Sequence, residues 1–291
     1  MATKIDGINV HTDANHVSRV TALGCEWVRI DIQWWVIEKN RGSYSWGYVD
    51  SLVNAYTKAG CKIYATLAGT PAWAGATVAD VPSNQTYWTS FCAACAKRYG
   101  GRISVYSLWN EPNLGNRFWG GGIKDFYQKI LVPGALAIKG VNHNLVVAGP
   151  DLATTGKSKW PKWLTEMKHH VRYIDIVSIH SYHNTADTVK RCFTIGKIPF
   201  IGWVVPKWRP YNWYLKKLGK PVFLTETGLA ATFGKFKEEK AQKNFVEEIQ
   251  DSKKDMDVDT VIFYTCTDAP SSMEEPWGFY DYQGNAKLVA R

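Results

Sequence analysis

The sequence predicts an α/β chain closed into a (β/α)8 barrel, one domain over residues 1–291, and three observations point to it. Short apolar runs rich in β-branched residues alternate with longer segments whose apolar residues recur at helical spacing. Eight such runs occur, the number that closes a ring of β/α units. Twice the chain reads as a helix end, then Gly, Cys and a buried run, at Leu23-Gly-Cys-Glu-Trp-Val-Arg-Ile30 and Ala59-Gly-Cys-Lys-Ile-Tyr-Ala-Thr66. Glycine just past a helix supplies the left-handed turn that lets the next strand begin.

In chain order, the strands are expected at Gly7–His11, Trp27–Ile32, Lys62–Leu67, Ile103–Leu108, Leu145–Gly149, Asp175–His180, Pro221–Thr225 and Thr260–Thr265. Between them, Trp46 to Ala59 repeats Val49, Leu52, Val53 and Tyr56 on one helical face. Asn84 to Tyr99 begins with a residue suited to an N-cap and buries Trp88, Phe91 and Cys92. Glu238 to Lys253 does the same with Ala241, Phe245, Val246 and Ile249. Pro133 cannot donate a backbone hydrogen bond, so the helical pattern around Ile130 should kink or split there.

Composition narrows the function. The chain carries a formal charge of +9, which raises nucleic acid or an acidic polymer as partners, but its Lys and Arg are spread along the sequence. The denser stretches, Lys157 to His170 and Lys207 to Lys220, read as solvated helix faces, and no nucleic-acid partner is expected. Six scattered cysteines are too few to staple a chain of this size. Cys92 and Cys95 lack a second pair or a nearby His and read as packing rather than as zinc ligands. Cys25 and Cys61 should be spatial neighbours, with bonding left open. No run approaches the length of a membrane span, and no membrane partner is expected. Met1 is not followed by an export signal; a secreted or cell-surface site is expected if a signal peptide has been removed, a cytoplasmic one otherwise. A monomer is expected.

The chemistry gathers at strand ends, where barrels of this kind place their catalytic groups. In Ser107-Leu-Trp-Asn-Glu-Pro-Asn113 an apolar run stops at Asn110 and Glu111, and after the seventh run comes Thr225-Glu-Thr-Gly228 with Glu226. A lone Glu after a strand can be a cap or an ion-pair partner, and Arg29 could simply neutralise Asp31. Two Glu, an Asn, an Arg and a His-x-Tyr, all at strand ends, have no shared structural explanation. Paired carboxylates suit glycoside hydrolysis, in which one protonates the leaving oxygen and the other attacks the sugar carbon or activates water. Arg29 and Tyr182 are the expected partners of Glu226. The mechanism needs no metal and no organic cofactor.

These motifs resemble those of the clan A retaining glycoside hydrolases: Asn110-Glu-Pro112, Thr225-Glu-Thr-Gly228, Val28-Arg29 and Ile179-His-Ser-Tyr182, over a span from about Gly7 to the C-terminus. Tyr44-Ser-Trp46, Tyr48-Val-Asp50 and Trp277-Gly-Phe-Tyr-Asp-Tyr-Gln-Gly284 make the resemblance closest to family 39-like enzymes, with family 5 second. The resemblance implies Glu226 as nucleophile, Glu111 as acid/base and Asn110 as donor to the sugar 2-hydroxyl. It also implies Arg29 and Tyr182 as the groups that keep Glu226 ionised, His180 as a contact to the nucleophile or the sugar, and His11 as a sugar-binding residue. Retention requires carboxyl groups about 5 to 5.5 Å apart, and a separation near 9 Å would contradict it. Many clan members carry Trp at the end of strand eight, whereas this chain reads Tyr264-Thr-Cys-Thr-Asp268, so Trp277 is expected to fill that place from the following loop.

Fourteen Trp and fifteen Tyr exceed what a core needs. Trp34, Trp35, Trp73, Trp119, Trp208 and Trp277 are the candidate sugar platforms, and their number suggests an extended cleft cutting within an oligo- or polysaccharide such as a hemicellulose, a β-glucan or an exopolysaccharide. An exo-acting β-glycosidase of β-xylosidase type is the alternative. A carbohydrate-binding barrel without catalysis is the alternative from another class.

Overall fold

The computed structural model describes residues 4–154, 158–195, 209–270 and 274–291. Its strands are β1 (Gly7–His11), β2 (Trp27–Gln33), β3 (Lys62–Ala68), β4 (Val105–Leu108), β5 (Val147–Ala153), β6 (Ile176–His180), β7 (Val222–Thr227) and β8 (Thr260–Phe263). They pair in parallel in chain order, and β8 closes on β1 through Gly7 opposite Ile262. The expected (β/α)8 barrel is therefore observed, closure included.

Alternation along each strand sorts the side chains into two populations. Val28, Ile30 and Ile32 of β2, with Ile63, Ala65 and Leu67 of β3, face the surrounding helices and join the main core. The opposite parity fills the barrel, and its lower layer is apolar: Tyr64, Val105, Ala148, Ile176, Phe223 and Ile262 pack together, with Trp27 against them. Two residues further along the same strands the interior turns polar, with Arg29, Thr66, Ser107, Ser178 and Thr225 all buried. One parity thus carries a dry base and a polar upper layer, and the site rests on that layer.

The helices follow the sequence closely. Gly47–Lys58 buries Val49, Leu52, Val53 and Tyr56, and Phe236–Asp251 buries Phe245, Val246 and Ile249. Gln85–Tyr99 is capped by Asn84, whose side chain accepts from the Thr86 amide. Around Pro133 the chain does not simply kink: Ile123–Phe126 is α-helical, Tyr127–Leu131 forms a π turn, and Val132–Val141 resumes the α-helix. A proline leaves a carbonyl of the preceding turn without its helical donor. The Trp88 indole N–H donates to the Ile130 carbonyl at 2.9 Å and ties this turn to the neighbouring helix.

Strand five runs further than expected. Gly149-Pro150 reads as a strand end, yet β5 continues to Ala153 because the proline falls where the β5–β6 register shifts, between Gly149 and Leu152. That extension brings Asp151 into the barrel. The six cysteines form no disulfide; Cys92 and Cys95 are buried packing groups as expected, and the Cys61 thiol lies 3.9 Å from the Cys25 carbonyl. Among the described residues no helix is long and apolar enough to cross a membrane.

Gly24 and Gly60 both take positive φ, +65° and +79°, with open space where a Cβ would stand. The whole cost of a side chain at Gly60 is therefore backbone strain, and Gly60→Ala should lower unfolding free energy by about 1–2 kcal/mol in a urea titration.

Candidate active site

A cavity of about 580 Å³ opens at the C-terminal ends of the strands and is lined by His11, Arg29, Asn110, Glu111, Tyr182 and Glu226. At its floor lies Arg29, only 2% exposed. Its Nη1 donates to Glu226 Oε1. Nη2 donates to Asn110 Oδ1 at 2.8 Å and reaches Asp151 Oδ2 at 3.5 Å, and Nε donates to Thr66 at 3.1 Å. The guanidinium is charged throughout: burial opposes that charge, but the carboxylates of Glu226, Asp151 and Asp31 more than offset it. Arg29 does more than neutralise Asp31, whose Oδ2 pairs with His11 Nδ1 at 2.9 Å.

Glu226, on β7, lies beside His180 on β6 in the sheet register. Tyr182 donates its hydroxyl to Glu226 Oε2 at 2.8 Å. Burial, then the Glu226 charge, pushes the Tyr182 phenol well above its usual range, so it remains a donor through neutral pH. Glu111 follows β4 in a left-handed conformation, φ 43°, with its amide donating to the Asp151 carbonyl at 3.1 Å. Asn113 fixes the same turn by donating to the Ala153 and Ser158 carbonyls at 2.6 and 3.0 Å. Proline after Glu111 and these bonds to β5 hold the carboxylate over the barrel mouth.

His180 connects the two acids. Its Nδ1 is 2.8 Å from Glu111 Oε1 and 3.4 Å from Glu226 Oε2, and the ring is fully buried. Single carboxylate oxygens of Glu111 and Glu226 and a ring nitrogen of His180 all lie within 4.8 Å of one another. Burial alone would lower the imidazole's affinity for protons; the charge of Glu226 and the hydrogen bond to Glu111 outweigh it, and its pKa is raised.

Of the aromatic candidates, Trp35 and Trp277 line the cavity. Trp35 lies against Gly69, where a Cβ would come within 2.0 Å of the indole at φ +87°. Trp277 packs edge-on to Tyr182 with ring centroids 5.3 Å apart, and Tyr264 lines the same wall, so the loop Trp supplements the strand-eight Tyr. Three expectations are corrected. Trp34 is fully buried and donates to Glu38 Oε2 at 2.6 Å, Trp73 donates to the Glu38 carbonyl at 2.6 Å and packs on Trp34 and Tyr87, and Trp119 is 1% exposed between Trp109 and Phe126. None of the three lines the cavity. Glu38 claims the indole N–H groups of Trp34 and Trp73, and Trp119 donates to the Gly122 carbonyl at 3.1 Å while its ring is enclosed by its aromatic neighbours. Trp208 lies outside the described residues.

The sequence reading passed over several groups. Asp31 and Gln33 line the cavity two and four residues beyond Arg29, where strand alternation would have placed them. Trp109, Phe118 and Glu274 line it from loops and carried no such signal.

Two outcomes are expected. Trp34→Ala should cost about 3–5 kcal/mol of stability in thermal or denaturant unfolding while leaving affinity for a cavity ligand unchanged, whereas Trp35→Ala should weaken that affinity. Because the His180 pKa is raised by folding, its stabilising contribution is complete below about pH 6.5 and is lost as pH rises through the higher folded value. The stability advantage of wild type over His180→Asn should therefore shrink from acid towards alkaline pH.

A family model described as cellulase, glycosyl hydrolase family 5, matches residues 2–260. The β-xylosidase of Geobacillus stearothermophilus is 28% identical over 165 residues, 49% of this chain and 31% of that protein, so the chain spans about a third of that relative. A family 39 glycoside hydrolase from Bacteroides cellulosilyticus superposes with a TM-score of 0.75 at 20% identity, covering 99% of this chain and 62% of the other. Xylanase 10B from Thermotoga petrophila does so with a TM-score of 0.70 at 13% identity, covering 97% and 90%. At these identities the structures share the fold. The family model is that of the second of the two families the motifs resemble, and by it the chain belongs to the cellulase family, glycosyl hydrolase family 5, among the clan A glycoside hydrolases.

Proposed function

We propose that the protein is a retaining glycosidase that cleaves β-glycosidic bonds by double displacement, with Glu226 as nucleophile and Glu111 as acid/base. The observation that carries this reading is the approach of the two carboxylates, oxygens within 4.8 Å, at the floor of one cavity. Inverting enzymes keep their carboxyl groups about 6.5–9.5 Å apart to admit a water, and retaining ones about 5–5.5 Å.

The surroundings suit two different roles. Glu226 is held by a guanidinium and a phenol, one on each oxygen, which favours an anion aimed at the sugar carbon. Among the described residues Glu111 has no Arg or Lys partner; its Oε1 pairs with His180 Nδ1 at 2.8 Å, as suits a group that must give up a proton and recover it. In the first step Glu226 attacks the anomeric carbon, the glycosidic bond breaks, and the Glu111 proton passes to the departing oxygen. In the second step Glu111 takes a proton from water, whose oxygen attacks the same carbon and releases Glu226, returning the original configuration. Asn110 Oδ1 accepts from Arg29, which leaves the amide Nδ2 as the donor to the sugar 2-hydroxyl.

The substrate is an oligo- or polysaccharide. Endo cutting rested on many Trp platforms, of which, among the described residues, Trp35 and Trp277 line the cavity. The loss of Trp34, Trp73 and Trp119 as platforms, with the β-xylosidase relatives, favours the second reading, an exo-acting β-glycosidase of β-xylosidase type.

Reducing-end release from xylan, mannan, β-glucans and exopolysaccharides, and from their oligosaccharides, tests both readings. Wild type should release sugar from at least one, with monomer alone marking exo and mixed lengths marking endo action. Glu226→Gln should lower kcat on the order of 10⁴-fold or more. Glu111→Ala should lose about 10²–10⁴-fold on natural substrates, and much less on aryl glycosides whose leaving group needs no protonation. Sugar binding without turnover in wild type would instead indicate a non-catalytic barrel.

A further inference from the structure

Beneath the two acids lies a third carboxylate to which the mechanism above assigns no task. Asp151 is fully buried in the barrel, at φ 51° on β5. Its Oδ1 accepts from the Tyr64 hydroxyl at 2.6 Å and from Thr225 at 3.0 Å. Its Oδ2 accepts from Ser107 at 3.0 Å and Thr66 at 3.2 Å, and faces Arg29 Nη2 at 3.5 Å. Four hydroxyls from three strands converge on one anion, which a barrel interior filled with apolar side chains would not require. A buried carboxylate is costly unless charge and hydrogen bonds hold it, and here both do. Burial opposes its charge, yet Arg29, His180 and these donors keep it ionised below the usual carboxylate range.

The consequence falls on Arg29. With Glu226 as its only buried anion, the guanidinium would place its whole charge on that carboxylate and bind it tightly. The shared Thr66 hydroxyl, which accepts from Arg29 and donates to Asp151, also ties the rotation of the guanidinium to the Asp151 carboxylate. We infer that Asp151 is a positioning residue that fixes the Arg29 fork and balances its charge, so that Glu226 is held as an anion yet left free to attack. This rests on Glu226 being the nucleophile. The other ionisable groups facing this set are Tyr64 on β3, His180 and Tyr182 at the β6 end, Glu111 after β4, and Asp31, which His11 occupies.

The test compares kcat/KM against pH for wild type, Asp151→Asn and Glu226→Gln on the aryl β-glycoside that wild type cleaves fastest. Removing one of the two anions around Arg29 makes it easier for the other to stay charged. The acid limb of Asp151→Asn should therefore move to lower pH by about one unit, with kcat lowered on the order of 10-fold. If that variant does not fold, Tyr64→Phe carries the test: it keeps the charge but removes its shortest donor, and its acid limb should move a fraction of a unit to higher pH. An acid limb unmoved in the variant that folds, whatever its rate, overturns the inference while Glu226→Gln remains inactive. Wild-type activity in Glu226→Gln overturns the nucleophile assignment and the inference with it.

Discussion

The site depends on a single buried cation. Arg29 sits inside the barrel, and each of its three nitrogens has a partner on another strand or strand end: Thr66 on β3, Asp151 on β5, Asn110 after β4 and Glu226 on β7. A guanidinium suits this position because its donors are planar and fixed, and because it cannot shed its charge when buried. Lysine would bring a point charge to one partner and leave the others without a donor. Every group that touches Arg29 is thereby placed relative to every other, and Glu111 is tied to two of them, as the residue after Asn110 and through its amide, which donates to the Asp151 carbonyl.

The interior of the barrel makes such a cation tolerable. Its base is dry, where Tyr64, Phe223 and Ile262 exclude water, and the layer above is built from short hydroxyl side chains that bond the charged groups without filling the space they need. A low-dielectric surrounding strengthens each charge pair and raises the cost of any left unpaired. Arg29, Asp151 and Glu226 meet that condition together. His180, buried between Glu111 and Glu226, belongs to the same balance, since its Nδ1 touches both acids; among the described residues its Nε2 has no hydrogen-bond partner.

How much of this was legible in the sequence depended on whether the signal was local. Strand ends were visible because an apolar run that turns polar must leave the core, and this located Arg29, Asn110, Glu111, Tyr182 and Glu226 at one cavity, with His180 buried against the two acids. Glycine joints announced β2 and β3, since a left-handed residue after a helix has few other uses. Asp151 was missed because Gly149-Pro150 looks like punctuation, and only the register shift against β6 lets the strand continue. The Trp residues failed for a different reason. Exposure of an indole is decided by what its N–H finds, and Glu38, which takes up both Trp34 and Trp73, lies on a turn that nothing in the sequence connects to the loop after β3.

In the proposed double displacement the two acids stand too close to admit a water between Glu226 and the sugar, and the reaction passes through a glycosyl ester. The direct measurement is the anomeric configuration of the first-formed product, followed by proton NMR during rapid hydrolysis of a β-glycoside before mutarotation. The account predicts that the β anomer appears first and the α anomer only later, by mutarotation. Initial appearance of the α anomer would show single displacement by water and contradict it.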